Sequence, residues 1–169
     1  MFKQRLTAGV VAAAAALLVA PAAGAHRPFK EPIGLHASVL DACPFQVGLE
    51  PGGGHEFLTI FDSGRLAVHA RLQPTLTNLE TGFAISVRQS HLFSETFDAN
   101  ANEFDDQLNG RSLFEILPGD VGPSGQVDPD GALVFVVGRL SYTSDPDTFA
   151  ITSMDVRGTL TDMCAALAP

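Results

Sequence analysis

The chain has 169 residues and a formal net charge of −9, from 19 acidic and ten basic side chains. Two of the basic residues, Lys3 and Arg5, sit in an amino-terminal leader, so the remainder keeps eight basic against 19 acidic residues, a net charge of −11. That surplus repels phosphate backbones and anionic lipid surfaces, and no Lys/Arg run offsets it, which argues against nucleic acid as a partner.

Residues 1–25 join a basic start to an apolar run from Ala8 to Ala20 and end on Ala23-Gly24-Ala25. This is the pattern of a secretory signal peptide, with cleavage expected before His26. The apolar run is too short to remain as a membrane span. His26 rather than Cys follows the cleavage point, so no lipid anchor is expected, and the expected location is extracellular. Residues 26–42 are mixed, contain Pro28 and Pro32, and read as a loosely held arm. One domain is expected over 43–169.

From Cys43 onward, short alternating runs are separated by Gly, Asn and Asp turns, the spacing of antiparallel strands. Strands are expected over Phe45 to Glu50, Glu56 to Phe61, Arg65 to Leu72, Thr75 to Leu79 and Phe83 to Gln89. Pro74 marks an edge or bulge. Asp98 to Asn109 is acidic and Asn-rich and reads as a loop. Arg111 to Leu117 returns to strand character, and 118–131 is a Pro/Gly-rich connection. Ala132 to Tyr142 carries an unbroken apolar run that implies burial on both faces. Phe149 to Thr161 is the last strand, and Met163 to Leu167 has room for one helical turn. Period-2 alternation places Leu66, Val68, Phe83, Ile85, Val87, Phe135 and Val137 inward. The fold class is therefore all-β, a single antiparallel domain of about eight or nine strands.

Cys43 and Cys164 are the only cysteines. In an exported chain a lone pair is expected to be bridged. The bridge would join the segment before the first strand to the segment after the last. A closed barrel does this naturally by pairing its end strands, so a barrel is favoured over a sandwich.

Cys43-Pro44-Phe45, Leu76-Thr77-Asn78-Leu79-Glu80-Thr81-Gly82, Asn109-Gly110-Arg111-Ser112-Leu113-Phe114 and Gly158-Thr159-Leu160-Thr161-Asp162-Met163-Cys164-Ala165-Ala166-Leu167 together resemble a group of small secreted actinobacterial proteins of unassigned function. The resemblance covers most of residues 43–167. It implies export, a first-to-last cysteine pair and a β domain, and it brings no catalytic residue.

Motifs that carry chemistry are sparse. The histidines, His26, His36, His55, His69 and His91, show no zinc-binding spacing. His69 falls on the polar face of its strand, and His55, after three glycines, reads as a flexible loop residue. No Gly-x-Ser-x-Gly elbow occurs. With no Trp and one Tyr, an aromatic platform for sugars is missing, and the phenylalanines read as core. Asp98, Asn100 and Asn102 place oxygen ligands at alternate positions, as calcium would require. Glu103 stands where an EF-hand loop needs its turn glycine, and Asn109 where it needs its bidentate Glu, so the segment reads as a mobile solvated loop. No cofactor is expected. The expectation is a non-catalytic extracellular domain that binds an unknown protein partner or has a structural role, recognition resting on loops 98–110 and 118–131. A carrier of a small apolar ligand within a barrel, and a hydrolase or cyclase on the same scaffold, are the alternatives.

Overall fold

The computed structural model describes residues 28–34 and 36–168. The expected leader, its cleavage point and His26 lie outside the described residues. In chain order the strands are β1 (Phe29–Pro32), β2 (Ser38–Leu40), β3 (Val47–Glu50), β4 (Gly54–Ile60), β5 (Leu66–Leu72), β6 (Thr75–Asn78), β7 (Ala84–Ser86), β8 (Gln89–Asp98), β9 (Glu103–Ile116), β10 (Ala132–Ser144) and β11 (Ile151–Asp162), followed by helix α1 (Met163–Leu167). They form a seven-stranded sheet in the order β1-β4-β5-β8-β9-β10-β11 and a four-stranded sheet in the order β2-β3-β6-β7. All pairings are antiparallel.

The two lateral orders correspond. β2, β3, β6 and β7 are each joined through a short connection to β1, β4, β5 and β8 respectively, and lie side by side in the same sequence. The small sheet is thus the continuation of the large one beyond a corner, the arrangement of orthogonal β packing. Three of the crossings are adjacent and tied together. Gln73 N donates to Gly53 O at 3.0 Å, and Val87 N donates to Pro74 O at 3.0 Å. Pro74 belongs at such a crossing because it has no N–H to offer a ladder.

β9, β10 and β11 cross the same zone without a break. There Gly110, Gly138 and Gly158 are register neighbours, with φ of 123°, 139° and 151°. A Cβ on any of the three would collide with the backbone of the adjacent strand, so only glycine permits the bend. The bend is sharp. Asp106 pairs with Tyr142, and Phe114 lies eight residues further along β9, about 26 Å away in a straight strand. Yet the rings of Phe114 and Tyr142 are 5.1 Å apart. The sheet has folded over on itself.

Two cores result. Inside the fold, Leu66, Val68, Phe93, Leu108, Phe114, Ile116, Val134, Val136, Leu140 and Ile151 pack together. On the opposite face of β9 and β10, Leu113, Leu133 and Phe135 pack against Leu40, Val47, Leu49 and Leu76 of the small sheet, with Met163 and Leu167 of α1. Leu133 to Phe135 are therefore buried on both sides, as the unbroken apolar run implies. Cys43 and Cys164 are bridged, with Cα atoms 5.4 Å apart, beside this second core. Asp162 caps α1 by accepting from Ala165 N at 3.0 Å.

Several expectations are corrected. No barrel is closed: among the described residues the outer strands β1 and β11 do not pair with each other, because the chain buries its apolar faces by folding the sheet into layers. The stretch 28–42 is not a loose arm, since β1 and β2 extend both sheets and Leu40 and Ala42 are buried. Asp98 to Asn109 is not a loop but the turn of the β8–β9 hairpin and the first half of β9. Phe83 to Gln89 is not one strand: the chain changes sheet at Val87 and Arg88. Phe83 lies in the β6–β7 turn and is 49% exposed, while Val137 is 40% exposed because the small sheet covers β10 only as far as Phe135. Ile85 and Val87 are half-buried with Ser86 and Arg88 outside, and Leu66, Val68 and Phe135 are buried as expected.

Candidate functional site

Strand alternation gives the large sheet two chemically different faces. The inner face of the fold carries buried ionisable groups. Glu56 and His91 occupy one row across the sheet, separated by Ala70 and continued by the three bend glycines. Glu95, Asp106 and Tyr142 occupy another, with Glu95 directly opposite Asp106. Asp106 is 4% exposed; its Oδ2 accepts from Ser144 Oγ at 3.1 Å, and its Oδ1 has no protein partner.

Burial disfavours the charged form of each of these groups. Burial, and then the Glu95 charge, push Asp106 up to about 8. Burial alone raises Glu56 to about 7 and raises Glu95. Burial lowers His91 to about 4 and lifts Tyr142 well above its ordinary value. At neutral pH, Asp106 and His91 are thus both uncharged. Beyond this row Phe104 packs on Phe97 and Phe149, with ring centroids 5.3 and 6.1 Å away.

The outer face is cationic. Arg71, Arg111, Arg139 and Arg157 lie on this side of β5 and β9–β11, Arg65 and Arg88 immediately precede β5 and β8 and line the grooves of this face, and all six are exposed. The carboxylates on its open part are Asp98, Glu103, Asp105 and Asp155. The described residues contain one ion pair, Arg157 to Asp155 at 3.2 Å, with both side chains mostly exposed. Arg65 and Arg111 instead lie over the rings of Phe61 and Phe135, at 4.2 and 5.9 Å from their centroids. In so acidic a chain, six arginines gathered on one face is a segregation of charge.

Two grooves open on this face. One, of about 750 Å³, runs over β8–β11 and is lined by Arg65, Asp105, Arg139, Asp155 and strand hydroxyls. Asp106 and Tyr142 also line it, although strand alternation directs their side chains to the opposite, inner face of the sheet. The other, of about 680 Å³, lies at the three crossings between the sheets.

The sequence-level candidates lie elsewhere. Asp98, Asn100 and Asn102 sit at the tip of the β8–β9 hairpin, where Asp98 Oδ1 accepts from Asn100 N at 2.8 Å and Ala101 N at 3.3 Å. This is an Asx turn, and Asn102 supplies its left-handed residue with φ 54°. Among the described residues no group of three or more His, Cys, Asp or Glu side chains is placed to hold a metal ion. His55 is a strand residue whose ring lies 5.5 Å from Phe57 and 6.4 Å from His69. The connection 118–131 is organised by Asp120, which accepts from Leu117 N at 2.9 Å and Ile151 N at 3.0 Å.

Sequence reasoning missed Glu56, His91, Glu95 and Asp106 as buried groups, and the arginine face as a unit. The available signal was positional: Arg65, Arg71, Arg111, Arg139 and Arg157 share a strand phase once the strands are in register. Comparison with known proteins adds no name to this arrangement, since no family model, curated protein or solved structure matches the chain.

Proposed function

We propose that this is an extracellular, non-catalytic binding domain whose recognition surface is the outer, arginine-bearing face of the large sheet. The observation that carries the reading is the charge segregation: six exposed arginines on one rigid face, five of them without a carboxylate partner among the described residues. Unpaired guanidiniums present planar, fixed donors to oxyanions. The grooves on that face fall in the size range of small-molecule sites. The disulfide and the lack of a long apolar helix among the described residues are compatible with export. The carrier alternative loses ground because the interior of the fold is occupied by packed side chains. Nuclear magnetic resonance titration of the mature domain with mixed polar ligands tests the reading: amide shifts are expected on β5 and β8–β11, and shifts confined to the small sheet would contradict it.

One observation favours a second reading, an enzyme. Glu95 is half-buried directly beside Asp106, and a carboxyl pair of raised pKa is a recurrent acid–base device. Turnover in a screen of ester, glycoside and peptide substrates, abolished by Glu95→Gln, would replace the binding reading with this one.

A further inference from the structure

The cleft of about 680 Å³ lies where the chain passes between the sheets three times: at Pro51-Gly52-Gly53, at Gln73-Pro74 and at Val87-Arg88. Each crossing contributes to its lining. Arg71 and Arg88 supply two guanidiniums, Thr75, Ser86 and Ser90 supply hydroxyls, and Gln73 supplies an amide. No carboxylate lines it, although the chain carries 19 acidic residues. Ser90 pairs with Arg71 across the ladder, and Arg88 immediately precedes β8 at the crossing between the sheets. Both guanidiniums belong to residues that line this one cleft. Neither has an ion-pair partner among the described residues. One wall is bare backbone. Gly54, with φ 137°, lies so close to Arg71 O that no Cβ fits, whereas a Cβ on Gly53 would meet nothing within 4 Å. That wall is open to a ligand.

We infer that this inter-sheet cleft binds a small hydroxylated oxyanion, a carboxylate or phosphate held between Arg71 and Arg88 with its hydroxyls against Thr75, Ser86 and Ser90. The inference rests on the binding reading above and adds the place and the ligand chemistry. Two guanidiniums match an oxyanion by charge and by paired N–H donors. The hydroxyl and amide lining matches a polyol, and with no aromatic platform the charge must supply most of the affinity. The two guanidiniums attract the anion while the surrounding acidic surface repels it, and added salt screens both effects.

The test titrates the disulfide-bonded mature domain with inorganic phosphate, D-galacturonate and neutral D-galactose, following backbone amide shifts. Saturable shifts at Gly53, Gly54 and Ser90 are expected with phosphate or galacturonate and not with galactose. Phosphate alone would identify a phosphate ester as the source, galacturonate alone a sugar acid. Arg71→Gln and Arg88→Gln should each weaken binding about tenfold or more, as expected on losing a charged hydrogen bond. Gly53→Glu, placed where a side chain has room, should abolish binding without touching either arginine, and Lys30→Gln, on the remote β1 edge, should leave it unchanged. Equal response to galactose, cleft amides silent towards all three probes, or affinity indifferent to Arg71→Gln, Arg88→Gln and Gly53→Glu would overturn the inference. Shifts around Ser141 and Thr143 with a silent cleft would overturn the cleft alone and leave the binding reading standing; turnover in the substrate screen bears on that reading separately.

Discussion

Replacing Asp106 by Asn separates the charge of this side chain from its shape. The carboxyl is 4% exposed, and burial together with Glu95 pushes it to about 8 from an ordinary 3.8. Between those two values the folded state holds a proton that the unfolded state has released. The folded state then binds more protons, so the stability of the native chain falls as pH rises through that window. One proton corresponds to about 1.36 kcal/mol per pH unit, so the loss between pH 5 and pH 8 is about 3–4 kcal/mol from this group. Asn cannot ionise, yet its oxygen can still accept from Ser144 Oγ, which lies 3.1 Å from Asp106 Oδ2. Its second amide hydrogen adds a fixed burial penalty that does not vary with pH. Urea unfolding of both proteins at pH 5, 7 and 8.5 should therefore show the variant gaining on the native chain by several kcal/mol across the series. Every other titrating group contributes equally to both proteins and cancels, apart from Glu95, whose own ionisation becomes easier in the variant. A stability difference that stays constant with pH would refute the claim that Asp106 is protonated in the fold.

His91 provides the opposite sign: with its pKa lowered to about 4, stability should fall as pH drops from 6.5 towards 4, by up to about 3 kcal/mol. His91→Gln should flatten that limb in unfolding curves, and an unchanged limb would count against a neutral buried imidazole. Removing the bridge with Cys43→Ser and Cys164→Ser together opens a loop of 121 positions, expected to lower stability by about 4–5 kcal/mol in guanidinium denaturation; an unmoved midpoint would contradict this. Gly138→Ala should destabilise more than Gly64→Ala. Both positions have positive φ, 139° and 81°, which carries about 1–3 kcal/mol of strain for a side chain, but only at Gly138 does the new Cβ meet neighbouring backbone. Equal losses in thermal melts would mean the bend is not closely packed there.

The strands that read clearly in the sequence are those whose apolar residues all face one core. β5 places Leu66, Val68 and Ala70 inside and His69 and Arg71 outside, so periodicity alone locates it. β8 was hidden because its inward positions include Gln89, His91 and Glu95 while Leu92, 45% exposed, points to solvent; the pattern is inverted by polar burial. The first half of β9 was hidden for the same reason, since Asp105 and Asp106 look alike in sequence and end on opposite faces. The barrel expectation rested on the bridge, but a bridge between chain ends is equally satisfied by a folded sheet. What periodicity cannot express is the line of bending, which needs Gly110, Gly138 and Gly158 to come into register over a separation of 48 positions. The arginine face was illegible for a related reason, as its members are scattered from Arg65 to Arg157 and meet only through strand register.

The second core joins Leu40 and Val47 from the beginning of the domain to Met163 and Leu167 from its last helix. A chain synthesised amino end first cannot close its disulfide until Cys164 is available, or this core until Leu167 is. Strands β2, β3, β6 and β7 must wait, with their apolar faces uncovered, while more than half of the domain is still being made. Completion of this core therefore waits on Met163 to Leu167, and any truncation that removes them deprives the four-stranded sheet of part of its cover.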